Sequence, residues 1–269
     1  MIIRSIATEV TNQRIENEDD LTLAREASAF YLKFSESLLT EIPQDGPLAA
    51  AVSGGFTQYA FAFVQLEADR IETSDAKAAQ RLRERARRLY QRAHRHAMLS
   101  LERNSPGFGK KLASSVQSDS PLPQGDQVSV AYWAAASWAG LISLSKDHPD
   151  LVADLPLAVR LAQIVWQVRP DFGDGAIASL MGSLETGRPG GSAQQAVVYF
   201  DLAIALGKGA NAGAYVAKAE GFALPAGDRQ AFETLLHQAL AASELKPNLQ
   251  NAIMRERARW LLDNANDLF

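Results

Sequence analysis

SGGFTQYAFAFVQLEAD, residues 53–69, decides how the rest of this chain is read. Gly54-Gly55 predict a break in the backbone, and the residues that follow contain neither Pro nor Gly. Placed at 100° per residue, Phe56, Tyr59, Ala60 and Phe63 share one side. Ala62 and Leu66 fall beside Tyr59, Val64 falls beside Ala60, and Phe61 falls on another side. A helix apolar nearly all round belongs inside a protein, with other helices packed on it. Its polar residues therefore stand out. Gln58, Gln65 and Asp69 fall on one stripe, which is either a thin solvated edge or the polar wall of a cavity. Glu67 is expected to pair with an Arg, because a buried lone carboxylate is costly.

Composition narrows the class. The chain has 269 residues, enough for one large or two ordinary domains, with 47% hydrophobic and 22% charged residues. Ala, Leu, Arg, Gln and Glu dominate and strong strand runs are missing, so the fold class is all-α. A net charge of −4 argues against nucleic acid as the main partner. There is no Cys, which excludes a disulfide, a thiolate zinc site and a thiol nucleophile. No run of 18 apolar residues occurs, and residues 1–5 have no signal-peptide hydrophobic region.

Helices are predicted outward from the central one. Leu21–Thr40 keeps helical spacing through Ala27, Tyr31, Phe34, Leu38 and Leu39, ahead of Pro43. Thr73-Ser74-Asp75 offer a cap for a long helix from Ala76 to Arg103. Between Ala76 and Lys111, 11 Lys and Arg stand against two Glu, a local charge of +9 that leaves −13 for the remainder. This segment is a solvated face, a dock for an acidic partner, or an answer to the acidic half of its own fold. Residues 104–127 read as a long loop or lid. Residues 128–145 form a helix rich in small residues. On it Trp133 and Trp138 diverge by about 140° and cannot fill the same core layer. Further helices are expected at 156–168, 174–184, 193–206, 212–224, 230–245 and 251–262.

Five helices end alike, in FYLKFSESLLTEIP, LYQRAHRHAMLSLERNSP, AVRLAQIVWQVRP, AVVYFDLAIALG and FETLLHQALAASELKP. Pro43, Pro106 and Pro170 lie 63 and 64 apart, roughly twice a tetratricopeptide period. The reading is a single helical-repeat domain over 1–269, a tetratricopeptide-like α-solenoid of stacked antiparallel helix pairs.

Chemistry is harder to place. His94 and His96 diverge on one helix and offer no zinc spacing. No G-x-S-x-G, P-loop or dinucleotide fingerprint occurs. Ser53-Gly54-Gly55 read as a helix–helix turn, or as a weak anion cradle. Arg255, Arg257 and Arg259 read as structural ion-pair partners. No acid/base pair can be named from spacing, and no catalytic role, metal or cofactor is assigned.

Several segments carry a family resemblance. They are Leu38-Leu39 before Pro43, SGGFTQYAFAFVQLEAD, the Tyr90/Arg92 region, AYWAAASWAGLISLSKD from Ala131 and PDFGDGAI from Pro170. AVVYFDLAIAL from Ala196, RQAFETLLHQAL from Arg229 and NAIMRERARWLLDNANDLF from Asn251 complete the set. In this order they resemble the T component of tripartite ATP-independent periplasmic (TRAP) transporters, the TatT family. The resemblance implies a periplasmic, usually lipid-anchored protein that partners the P component, the soluble substrate-binding protein. It also implies self-associating rings or trimers with hydrophobic passages for an apolar small molecule. The family's signal peptide and lipid-accepting Cys are absent from this sequence and are expected in the full-length precursor. On this reading Tyr59, Phe63, Tyr132, Trp133 and Trp138 are the ligand-binding candidates, with Gln58 and Gln65 as polar contacts. The alternative is a tetratricopeptide-like scaffold that binds a peptide or an acidic protein partner.

Overall fold

The computed structural model describes residues 20–114 and 122–269, and among them every regular element is helical. The helices fall into two compact units, Thr22–Val168 and Arg169–Phe269. Within each, successive helices pack as pairs in a solenoid-like arrangement.

The first unit begins with α1 (Leu21–Glu41). Next come α2 (Gly46–Tyr59), a π-helical stretch (Ala60–Gln65) and α3 (Leu66–Ile71), which follow one another without a break. The Asp45 carboxylate accepts from Leu48 N–H at 3.0 Å and starts α2. The predicted break at Gly54-Gly55 is absent, because both glycines lie inside α2. Their missing side chains serve packing instead. A Cβ on Gly54 would meet the Trp133 ring at 2.6 Å, and one on Gly55 would meet Leu32. The anion cradle expected there is lost for the same reason, since mid-helix N–H groups are already bonded.

Asp75 caps α4 (Ala76–Asn104) by accepting from Ala78 N–H at 2.8 Å. Ala79, Ala86, Ala93 and Ala97 line its buried face. This small-residue face lets α2 and α6 (below) approach closely. Glu102 then accepts from the N–H groups of Gly107 and Gly109 and leads into α5 (Phe108–Ala113). Part of the predicted loop is therefore helical. Its central residues, 115–121, lie outside the described residues. Next come α6 (Gln127–Ser143), the short α7 (Pro149–Val152) and α8 (Leu155–Val168). Pro149–Val168 has the length and apolar composition to cross a membrane, although Asp150, Asp154 and Arg160 keep it from being a continuous apolar run. Ala153 and Asp154 interrupt it, and Ala158, Leu161, Ala162 and Val165 are buried on a side that packs with α6.

The second unit comprises α9 (Phe172–Gly187), α10 (Ala193–Leu206) and α11 (Ala212–Lys218). A second π-helical stretch (Ala219–Ala223) continues α11, followed by α12 (Arg229–Leu245), α13 (Leu249–Asp263) and α14 (Ala265–Leu268). Phe200 is fully buried, with its ring over Gly182, where a Cβ would meet it at 2.7 Å. Burying such a ring contributes about 1.5–3 kcal/mol. Phe232, Leu236, Ala239, Val216, Ala258 and Leu261 form the core of α11–α13. Buried Asn251 joins three elements there. Its side chain accepts from Ala212 N–H at 3.0 Å and donates to the carbonyls of Ala210 and Lys246, each at 2.8 Å.

Candidate functional site

The π-helical stretch Ala60–Gln65 sits in the middle of the helix that the sequence placed at the centre. The N–H of Leu66 reaches back five residues to the carbonyl of Phe61. Such a turn holds one extra residue, so everything after it is rotated by about 100° relative to an ideal wheel. The expected stripe is split accordingly. Gln58, before the turn, is exposed. Gln65 and Asp69, after it, face α4. Gln65 Oε1 accepts from the Tyr90 hydroxyl at 2.8 Å, and Asp69 lies 3.6 Å from Arg83. Glu67 pairs with Arg70 at 3.9 Å.

The turn also sets the aromatic residues. Tyr59 is buried, while Phe61, Ala62 and Phe63 remain half-buried in succession. The Tyr59 and Phe63 rings lie 5.4 Å apart, and the Arg85 guanidinium lies 5.9 Å from the Tyr59 ring centre.

The three aromatics of α6 divide between neighbours. Tyr132 and Trp133 meet edge to face at 4.8 Å, and Trp133 occupies the space left by Gly54 on α2. Burial pushes the Tyr132 hydroxyl up to about 12, so it stays protonated near neutrality. Trp138 lies against α4, 4.4 Å from the His94 ring. Burial pushes His94 down to about 4 against the opposing hydrogen bond to the Ala134 carbonyl, and the neutral ring donates Nδ1–H there at 3.2 Å. Five of the seven candidates thus form a Tyr59/Phe63 pair and a Tyr132/Trp133 pair, with Trp138 on the same helix as the second pair but packed against α4 instead. Gln58 points to solvent, and Gln65 is engaged by Tyr90.

Two features escaped the sequence reading. The first is a cluster around buried Glu36 of α1. Its carboxylate accepts from Lys33 at 2.6 Å, from His96 at 2.8 Å and from both Nε and an Nη of Arg92. Burial raises its pKa, but these donors outweigh burial and bring the carboxyl down to about 2. Phe56 completes the cluster, with the Arg92 guanidinium 5.0 Å from its ring centre and the His96 ring stacked at 6.4 Å. The available signal was Glu36 standing between Leu32 and Leu39 on an inward face. The second is an open groove of about 440 Å³ beside the π-helical stretch of the second unit. Phe222 and Leu235 line it with Lys218, Asp228, Gln230 and Thr234. Lys218 already pairs with Asp201, and Glu220 in the π stretch takes Arg257 at 2.6 Å. Arg259 pairs with Glu256.

Stacked helix pairs with partly covered aromatics define a helical-repeat class of protein, whose stacked surfaces suit binding. The chain belongs to the TRAP transporter T-component family, whose model matches residues 17–269. It is also similar to an "Uncharacterized protein" of Treponema pallidum (strain Nichols), 27% identical across 94% of this chain and 81% of that one. Membership makes it an accessory component of a TRAP transport system.

Proposed function

We propose that this protein is a periplasmic T component that binds the substrate-binding P protein of its transport system and carries a hydrophobic small molecule through an apolar passage. The observation that carries this reading is the half-buried run Phe61-Ala62-Phe63 on the π-helical stretch of an otherwise interior helix. Apolar surface left partly accessible beside buried aromatics is what an apolar ligand recognises, with a few polar groups to orient it. Tyr59, Phe63, Tyr132, Trp133 and Trp138 supply the apolar contacts. Gln58 and Gln65 supply the polar ones. The protein works as a self-associated ring or trimer, lipid-anchored in its precursor, without catalysing a reaction.

Native mass spectrometry of the protein purified gently from its own host tests this. A co-purifying substrate-binding protein, or an apolar molecule released on denaturation, is the expected result. A bare chain, bound by an unrelated protein at low salt, overturns the transport reading in favour of a scaffold.

A further inference from the structure

The outward face of α4 carries a row of exposed cations, most of which meet no acid among the described residues. Lys77, Arg81, Arg85, Arg88 and Arg95 are all exposed. At 100° per residue they fall within a strip about 80° wide. Lys77 to Arg95 spans about 27 Å at 1.5 Å per residue.

Other cations of the same helix are treated differently, among them Arg92, which falls within the width of the strip but turns to α1. Arg83 reaches Asp69 and Glu72, Arg87 reaches Glu84 at 3.0 Å, and Arg92 reaches Glu36. Arg85 of the strip lies over Tyr59, one of the candidate ligand contacts. Lys77, Arg81, Arg88 and Arg95 make no ion pair among the described residues. Like charges three and four apart on a helix repel each other. Glu84 borders the strip, three residues after Arg81 and four before Arg88, yet it pairs with Arg87 on its other side. Apart from Arg92, the cations of the strip stay clear of the acids among the described residues along five turns.

Its charge environment points to the occupant. The +9 of Ala76–Lys111 is set against −13 over the remainder. An acidic protein face is attracted along one strip and repelled elsewhere, which orients it as it arrives. Four of the five cations are Arg, whose planar fork pairs bidentately with carboxylates. An anionic bilayer suits the strip less well. Gln80 and Gln91 are exposed on this helix and Leu99 is its one large apolar side chain exposed among the described residues, far short of a membrane-seeking apolar face.

We infer that the Lys77–Arg95 strip is the docking surface for the acidic face of a folded protein. Resting on the function proposed above, that protein is the substrate-binding component.

Surface plasmon resonance between the full chain and the substrate-binding protein of the same transport system tests this. It is run at about 0.01 M and about 0.15 M ionic strength, where the screening length is ~30 Å and ~8 Å. The variant is Arg81→Glu/Arg88→Glu, with circular dichroism to confirm its helix content. A Lys146→Glu/Lys208→Glu variant makes the same change in net charge at exposed lysines outside α4. At low salt the strip variant is expected to associate about tenfold more slowly than wild type, with the control unchanged. Wild-type association is expected to slow steeply with salt, and that of the strip variant much less. Equal rates for wild type and strip variant, or equal slowing by the control, overturn the docking surface and leave the transport reading standing. No binding by wild type at either salt overturns the transport reading itself. Sedimentation of wild type, but not the strip variant, with phosphatidylglycerol vesicles assigns the strip to a lipid surface and overturns the protein partner.

Discussion

The Tyr90 hydroxyl donates to Oε1 of Gln65 across 2.8 Å, joining α4 to the end of the π-helical stretch. The Tyr90 ring is buried against Gly140 of α6, where a Cβ would meet it at 2.6 Å. One side chain therefore sets the spacing of three segments. Removing its hydroxyl leaves the Gln65 oxygen without this donor in a half-buried place. Tyr90→Phe is expected to cost about 1–2 kcal/mol, since an abandoned buried acceptor loses its desolvation back-payment. Urea unfolding checks this. An unchanged midpoint would mean that water replaces the hydroxyl.

Glu36 and His94 give the stability of the first unit an acid dependence in two windows. Glu36 has its pKa lowered from 4.5 to about 2, so its contribution is full above 4.5 and fades as pH falls towards 2. His94 is lowered from 6.5 to about 4. Below 6.5 the unfolded chain takes up a proton that the folded chain refuses until about pH 4, so stability falls across that window too. His94→Gln should flatten the melting-temperature slope between pH 6.5 and 4, and Glu36→Gln the slope below 4.5. At pH 7 Glu36→Gln is expected to cost roughly 1.5–3 kcal/mol, the worth of hydrogen bonds to a charged group. Parallel pH profiles for wild type and both variants would refute the assignment.

Gly54→Ala places a methyl group in the space taken by the Trp133 ring. Overpacking of this kind costs about 1–3 kcal/mol. The Trp133 ring, half-buried, has to tilt outward. A lowered melting temperature together with red-shifted tryptophan emission is expected. Unaltered emission would show that the ring is not seated on Gly54.

Phe63→Asp tests the ligand site. Phe63 is half-buried, so its loss costs less than a core deletion, while a carboxylate beside Tyr59 repels an apolar ligand. Binding of a fluorescent apolar probe, read beside thermal melting, should fall at least about tenfold, the effect of ~1.4 kcal/mol. Unchanged binding and unchanged melting together would remove Phe63 from the site.

Much of the architecture could be read before any coordinates. The 3.6-residue spacing, the Pro and Gly stops and the caps placed α1, α4, α8, α10, α12 and α13 within a few residues, because these signals are local. Asp75, expected to help start the long basic helix, caps it. The divergence of Trp133 and Trp138 follows from their spacing, and the structure sends them to α2 and α4. Gly54-Gly55 were misread as a break. A glycine's helix-breaking tendency is worth only about 1 kcal/mol, and close packing of Trp133 and Leu32 outweighs it.

Helical class, helix order and the basic character of α4 are thus properties of local pattern, and family membership follows from the order of the segments. The π-helical stretch is different. Nothing in AFAFVQ distinguishes five-residue from four-residue hydrogen bonding, since that choice rests on how neighbouring helices pack. It rotates every later side chain, so it alone decided that Gln65 and Asp69 turn to α4 while Gln58 stays in water. The Glu36 cluster is likewise tertiary. Its donors come from α1 itself and from α4, 56 to 60 residues away for Arg92 and His96. Only folding reveals which cations of α4 find acids among the described residues and which stay exposed.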